Sequence, residues 1–161
     1  MSSNRPRNIP FDDAVDLADI GQADATLREV STDGVLDWDR FDIVPFAALL
    51  PSIAVLDREE REDGLIDFRC RFVGENINAI AQQSLRGLLV RDFLIGNQAE
   101  EIVEEYAATL RDAVPRASTG NVSTSDMTRV RYLRFLYPVR TKTGIDRVLL
   151  IMLFAKEQAE D

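Results

Sequence analysis

Three kinds of residue in this chain could do chemistry: one thiol, a scatter of carboxylates, and tyrosines close to arginines. The only cysteine is Cys70, in the run FRCRFVGENI (68–77). A thiolate attacks electrophiles and binds soft metals where positive charge lowers its pKa and water reaches it. The pattern around Cys70 points elsewhere. Ile66, Phe68, Cys70 and Phe72 alternate with Asp67, Arg69 and Arg71, the period-two mark of a half-buried strand. A thiol between two phenylalanines behaves as a small hydrophobe of low reactivity. Cys70 is therefore expected on the inner face of a sheet, as packing or as cavity wall, able to touch a ligand without reacting.

The carboxylates gather in DGVLDWDRFD (33–42), with Asp33, Asp37, Asp39 and Asp42. Spacing of this kind suggests a calcium loop, but an EF-hand needs Gly at loop position six and Glu at twelve. Counted from Asp37, those places hold Asp42 and Ala48, so a solvated acidic loop is expected. Asn121-Val-Ser matches a glycosylation sequon, which has no meaning in the reducing compartment that a lone cysteine suggests. An enzymatic site would need converging carboxylates or a Tyr–Arg pair; Tyr106, Tyr137 and Arg134 are the only hints of one. Tyr106 shares a helical stripe with Ile102 and Leu110 and is a core or cavity-lining candidate.

Composition closes many other routes. The 161 residues contain no histidine, which removes imidazole metal and haem sites, Ser-His and Cys-His catalysis and any phosphoacceptor histidine. One cysteine excludes Cys-rich zinc and iron–sulfur sites within one chain. No cofactor is expected. A net charge of −9 disfavours nucleic acid as a partner. The longest apolar run, VLLIMLFA (148–155), is too short to span a bilayer and reads as a buried strand, and no secretion signal opens the chain. A cytoplasmic protein with no membrane partner is expected.

These residues need elements to position them. Polar residues 1–10 are expected to be loose, followed by one or two short acidic helices interrupted near Gly21. IVPFAALLP (43–51) reads as a short helix or turn. Strands follow over Ile53–Asp57 and 65–74, joined by a charged hairpin. A helix over 76–86 should close at Gly87. The strongest helix runs from Asn97, with Glu100 as the partner of an N-x-x-E cap, to Pro115; Ile102, Val103, Tyr106, Leu110 and Ala113 form its buried stripe. A weak edge strand near 121–125 and two long strands, RVRYLRFLYPV and DRVLLIMLFAKE, complete the order. Two strands, a helical crossover and three more strands give an α+β fold: a five-stranded antiparallel sheet with helices on one face.

That order resembles a PAS domain. The segments LLPSIAVLD, FRCRFVGENI, SLRGLLVRDFL, EYAATLRDAVPRA and LRFLYPVRTKTGIDRVLLIMLFA are similar to the PAS_5 family of small PAS proteins of alphaproteobacteria, over roughly residues 40–157. Pro51, Arg71 to Gly74, Gly87, Pro115 and Pro138 carry the likeness. The family has no defining catalytic residues. The resemblance implies a sensory or protein-interaction domain, often dimeric, with a possible cavity between sheet and helices. Flavin-binding light sensors of the LOV type also carry a Cys-Arg-Phe run, but in a helix, with Asn before the Cys and Gln after the Phe. Here Arg69 precedes Cys70 and Val73-Gly74 follows Phe72, so the likeness is in letters and not in position.

The last two strands are apolar on both faces. Val148, Leu150, Met152 and Phe154 alternate with Leu149, Ile151, Leu153 and Ala155; Leu133, Phe135 and Tyr137 alternate with Val130, Tyr132, Arg134 and Leu136. A sheet covered on one side alone should be polar on the other. The outer face therefore needs a cover, either the N-terminal helices or a second subunit. Cys70, Phe72, Tyr106 and Phe135 are the candidates for lining a cavity. Val130, Tyr132, Leu136, Leu149, Ile151 and Leu153 are the candidates for the cap or dimer interface. Five Asp in residues 12–24 face six basic residues in 129–147, so an acidic cap near Arg131, Arg134 or Arg147 is expected. The expected organisation is an acidic helical cap over 1–35, a PAS domain over 36–157 and a tail over 158–161. The expected function is non-enzymatic: a stand-alone sensor or adaptor, forming a homodimer, binding a small molecule or an unidentified signalling protein. The alternative is a small enzyme or ligand carrier with an apolar pocket.

Overall fold

The computed structural model describes residues 6–94, 96–123 and 129–156. The expected tail, 158–161, and the end of the expected edge strand, 124–125, lie outside them. The α+β class holds, with a larger sheet than expected: eight strands among the described residues. The long ones are β4 (Ile53–Glu60), β5 (Ile66–Val73), β6 (Arg116–Ser123), β7 (Arg129–Thr141) and β8 (Gly144–Lys156). The extra ones come from the N-terminal residues: β1 (Arg7–Ile9), β2 (Ser31–Thr32) and β3 (Val35–Asp37). The main path runs β1-β6-β7-β8-β4-β5. Its pairs are antiparallel, while β3 joins β7 in parallel. Strands of two or three residues are too short to show an alternating pattern, so β1 took a place expected to be loose.

Between β5 and β6 the chain crosses one face through α3 (Glu75–Ala81), α4 (Val90–Phe93) and α5 (Gly96–Asp112). α3 stops earlier than its apolar spacing suggests, with Gln82 taking the left-handed conformation at φ 58°. Gly87 closes no helix. It sits at φ +85° in a turn, and its N–H donates to the Cys70 carbonyl while the Cys70 N–H donates to Leu88 O. The loop is thus pinned along the free edge of β5. Glu100, expected to cap α5 at Asn97, pairs with Arg91 instead. Gly74 is fixed by close approach: a Cβ there would overlap the carbonyls of Leu50 and Pro51.

Before the sheet lie α1 (Phe11–Ala18) and α2 (Gly21–Glu29), broken at Asp19, which has φ 55°. They cover the other face. Ala14, Val15, Ile20 and Leu27 pack on Ile53, Val55, Phe135, Tyr137, Leu149 and Ile151, joined by Phe46 from the turns before β4. The inner face packs Ala54, Leu56, Phe68, Cys70, Leu136 and Leu150 against Ile77, Val90, Ile102, Val103 and Tyr106. The sheet is therefore the shared wall of two cores, and the outer one is closed by this chain's own N-terminal helices. The 35/36 boundary expected between cap and domain falls inside β3.

Arg134 and Arg147 pair elsewhere than with the acidic cap. Arg134 lies on the opposite face, and Arg147 donates to Asp57 at 2.6 Å and stacks over the Trp38 ring at 4.6 Å. Asp12 and Asp24 pair with Arg28 of the cap itself. One sheet contact of the acidic segment is a hydrogen bond: the Tyr137 hydroxyl donates to Asp24 Oδ1 at 2.9 Å, in a buried setting. Phe11 meets the rings of Phe135 and Tyr137 edge to face beside it.

Candidate functional site

A cavity of about 350 Å³ lies between the inner sheet face and the crossover helices. Leu56, Cys70 and Leu150 line it from the sheet, Ile77, Ile102 and Tyr106 from the helices. Exposed Gln82 and Gln83 and half-buried Glu101 also border it. The lining is mostly apolar because alternation on β4, β5 and β8 directs the inner set of side chains there.

One polar cluster breaks that surface. Arg134 on β7 lines the cavity and is only 2 % exposed. Its Nη2 donates to Glu105 Oε2 of α5. Glu105 Oε1 accepts from the Ser118 hydroxyl of β6 at 2.7 Å. Arg134 and Ser118 are cross-strand partners, so the carboxylate bridges two adjacent strands to one helix. The guanidinium lies against two aromatic rings, 5.4 Å from the centre of Tyr106 and 4.9 Å from that of Tyr132. Such contacts stabilise a desolvated cation. Tyr132 in turn lies over Gly120, its cross-strand partner, where a Cβ would stand 2.5 Å from the hydroxyl. The Arg134 Nε–H is buried and has no hydrogen-bond partner.

The groups of the cluster are held in fixed protonation states. Burial works against the charge of Arg134, but Tyr106, Glu105 and Tyr132 outweigh it and hold the guanidinium protonated. Burial pushes the Tyr106 and Tyr132 hydroxyls above their usual range, so both stay neutral. Burial, followed by the nearby carboxylates Asp67 and Asp92, pushes the Cys70 thiol up to about 12. A thiol held so far from ionisation is a poor nucleophile. Among the described residues, no group of three or more His, Cys, Asp or Glu could hold a metal. No helix among them is long and apolar enough to cross a membrane.

Of the residues expected to line a cavity, Cys70 and Tyr106 do so, while Phe72 and Phe135 do not. Phe72 packs with the outer core because the β4–β5 ladder slips at Val55/Leu56. Val55 faces Phe72 and Leu56 faces Cys70, so Arg71 is the extra residue of a bulge and the strand's facing reverses there. Phe135 also belongs to the outer core, paired across the ladder with Ile151. Of the residues expected at the cap, Leu149, Ile151 and Leu153 pack beneath it. Val130, Tyr132 and Leu136 do not. Tyr132 lines the cavity and Leu136 packs in the inner core. Val130 is buried and shares their side of β7 by alternation. Alternation alone groups residues by face; cross-strand register decides which face.

Two further features escaped the sequence. Glu105 was hidden in the acidic run of α5, although Ile102 plus three puts it beside the buried stripe. Asp67, expected to point outward, is fully buried. Its Oδ1 accepts from the Phe68 N–H, its Oδ2 has no hydrogen-bond partner, and Arg91 Nε stands 3.9 Å away.

No family model and no curated protein sequence matches this chain. Among solved structures, it is similar to the light-state structure of the blue-light photoreceptor Aureochrome1 LOV. That match has 15 % sequence identity over 71 % of this chain and 89 % of that chain, with a TM-score of 0.48. At that identity and score no residue role passes from one chain to the other.

Proposed function

We propose that this chain is a non-catalytic, PAS-type sensor or adaptor of cytoplasmic signal transduction, kin to the PAS_5 proteins. It takes a small, largely apolar ligand into the inner cavity and reports its presence to another protein. The observation that supports this best is the Arg134–Glu105–Ser118 bridge at the cavity wall. A ligand in the cavity touches Ile102 and Tyr106 of α5 on one side and Arg134 on the other. It therefore makes contacts that depend on how α5 sits against β6 and β7. Differential contact of this kind is what lets a ligand shift a conformational equilibrium.

The Tyr106–Arg134 pair that an enzyme would need does meet at the cavity. Its charge is already answered by Glu105, however, and its phenol is held neutral, which suits recognition better than catalysis. A homodimer is part of the proposal, but the outer sheet face is already covered and is not its interface. Exposed apolar side chains remain on the cap at Leu17 (80 % exposed) and in the following turn at Val44 (73 %). Native mass spectrometry of the purified full chain, with an absorption spectrum of the same sample, tests the reading. A bound mass removed by the cavity-filling substitution Ala54→Leu is the expected outcome. A chain that carries nothing and binds no member of a small-molecule panel would sink it. Ligand binding that leaves hydrogen exchange in α5 unchanged would favour a carrier over a sensor.

A further inference from the structure

We infer that the cavity selects an uncharged ligand with an apolar body and one carbonyl-type acceptor, which takes a hydrogen bond from Arg134. The inference rests on the ligand-binding reading above and names the chemistry of the ligand. Three observations carry it. First, the wall is hydrocarbon over most of its extent, and at about 350 Å³ it is near the small end of ligand pockets. Second, the Arg134 Nε–H is buried without an acceptor, at a residue that lines the cavity. An unmet donor beside a guanidinium charge costs the free protein, and a ligand oxygen recovers that cost. Third, the positive charge is already balanced by Glu105, and Glu101 also lines the cavity. A ligand carboxylate would bring a second negative charge into a site that has one cation for it to share. Charge balance thus selects against anions, and the unmet donor selects against plain hydrocarbons.

Nε is sealed behind the wall in the free protein, so engaging it requires the guanidinium to turn toward the cavity. That turn draws on the same side chain that ties α5 to β7. The ligand's acceptor and the carboxylate of Glu105 then compete for one cation, which links recognition to the position of the helix.

Three probes of one shape separate the possibilities: acetophenone, its hydrocarbon isostere α-methylstyrene, and benzoate. Each is titrated into the full chain by ligand-observed NMR and calorimetry. The expected result is that acetophenone binds at least about tenfold tighter than either of the others, as for sites built around a buried hydrogen bond. In the double substitution Arg134→Met with Glu105→Leu, which removes both charges together, the ketone and the hydrocarbon should bind within about twofold of each other. Equal binding of the two isosteres to the unaltered chain overturns the inference, as does tightest binding by benzoate; either leaves the cavity as a ligand site. Failure of all three probes to bind overturns the inference and the ligand-binding reading together.

Discussion

The two faces of the sheet are closed in different ways. Under the cap, the buried phenol of Tyr137 donates to Asp24, whose second oxygen accepts from Arg28 Nε at 2.8 Å. Phe11 fills the space beside it. Under the crossover helices, Arg134 is equally buried and has an ion-pair partner, yet it keeps one N–H unmet beside a cavity. Buried polar groups in proteins are nearly always satisfied, so this unmet donor is the point on which the proposed ligand site turns. The outer face holds the chain together, and the inner face is left incomplete.

Substitutions can break or sharpen this contrast. The largest effect is expected from removing residues 6–37, which strips the cover from Phe135, Tyr137, Leu149 and Ile151. Circular dichroism and size exclusion should show loss of the folded protein; a stable, soluble, folded product would mean that the outer face needs no cover. Next come two neighbours on β8 that point to opposite faces. Ile151→Ala empties a filled core and should cost about 2–5 kcal/mol in denaturant unfolding. Met152→Ala, at the wall of an existing cavity, should cost less than half as much. Equal costs would put the void at no energetic advantage. A smaller contrast lies in the phenols. Tyr137→Phe leaves Asp24 without its buried donor and should cost about 1–3 kcal/mol, more than Tyr106→Phe.

The smallest effect is a pH dependence on the inner face. The folded pKa of Cys70, about 12, lies above the unfolded value of about 8.5. Its contribution to stability is therefore complete below about pH 8.5 and lost as pH rises toward the folded value. The loss amounts to about 1 kcal/mol by pH 9.5. Urea midpoints measured from pH 7.5 to 9.5 should fall in the unaltered chain more steeply than in Cys70→Ala. A parallel pair of curves would mean that the thiol ionises as easily folded as unfolded.

Much of this organisation could be read from the residues. The two-sided apolar pattern of β7 and β8 announced a sheet buried on both faces, and the alternation around Cys70 placed it on the inner one. What could not be read was relational. Phe135 and Leu136 are equivalent in a list of alternating residues until the register with Ile151 and Leu150 assigns their faces. Arg71 looks like any outward charge, and only the β4–β5 ladder reveals it as the residue that turns Phe72 over. Asp24 belonged to a segment whose charge suggested an arginine partner, yet its sheet contact is a neutral phenol. Glu105 sat in a run of acidic residues that reads as a solvated face. In each case the deciding contact is between residues distant in the chain, where no local period reaches.

The place of β8 has a consequence for how the chain comes into being. β8 is the last described strand in sequence, yet it lies in the middle of the sheet, between β7 and β4. One side of it completes the wall of the first core and the other side that of the second. During synthesis, everything up to residue 143 can emerge and neither core can close, because their shared partition has not been made. Leu149 and Leu150 then deliver both at nearly the same moment. Folding of such a chain waits on β8, and the two halves of the molecule are born together.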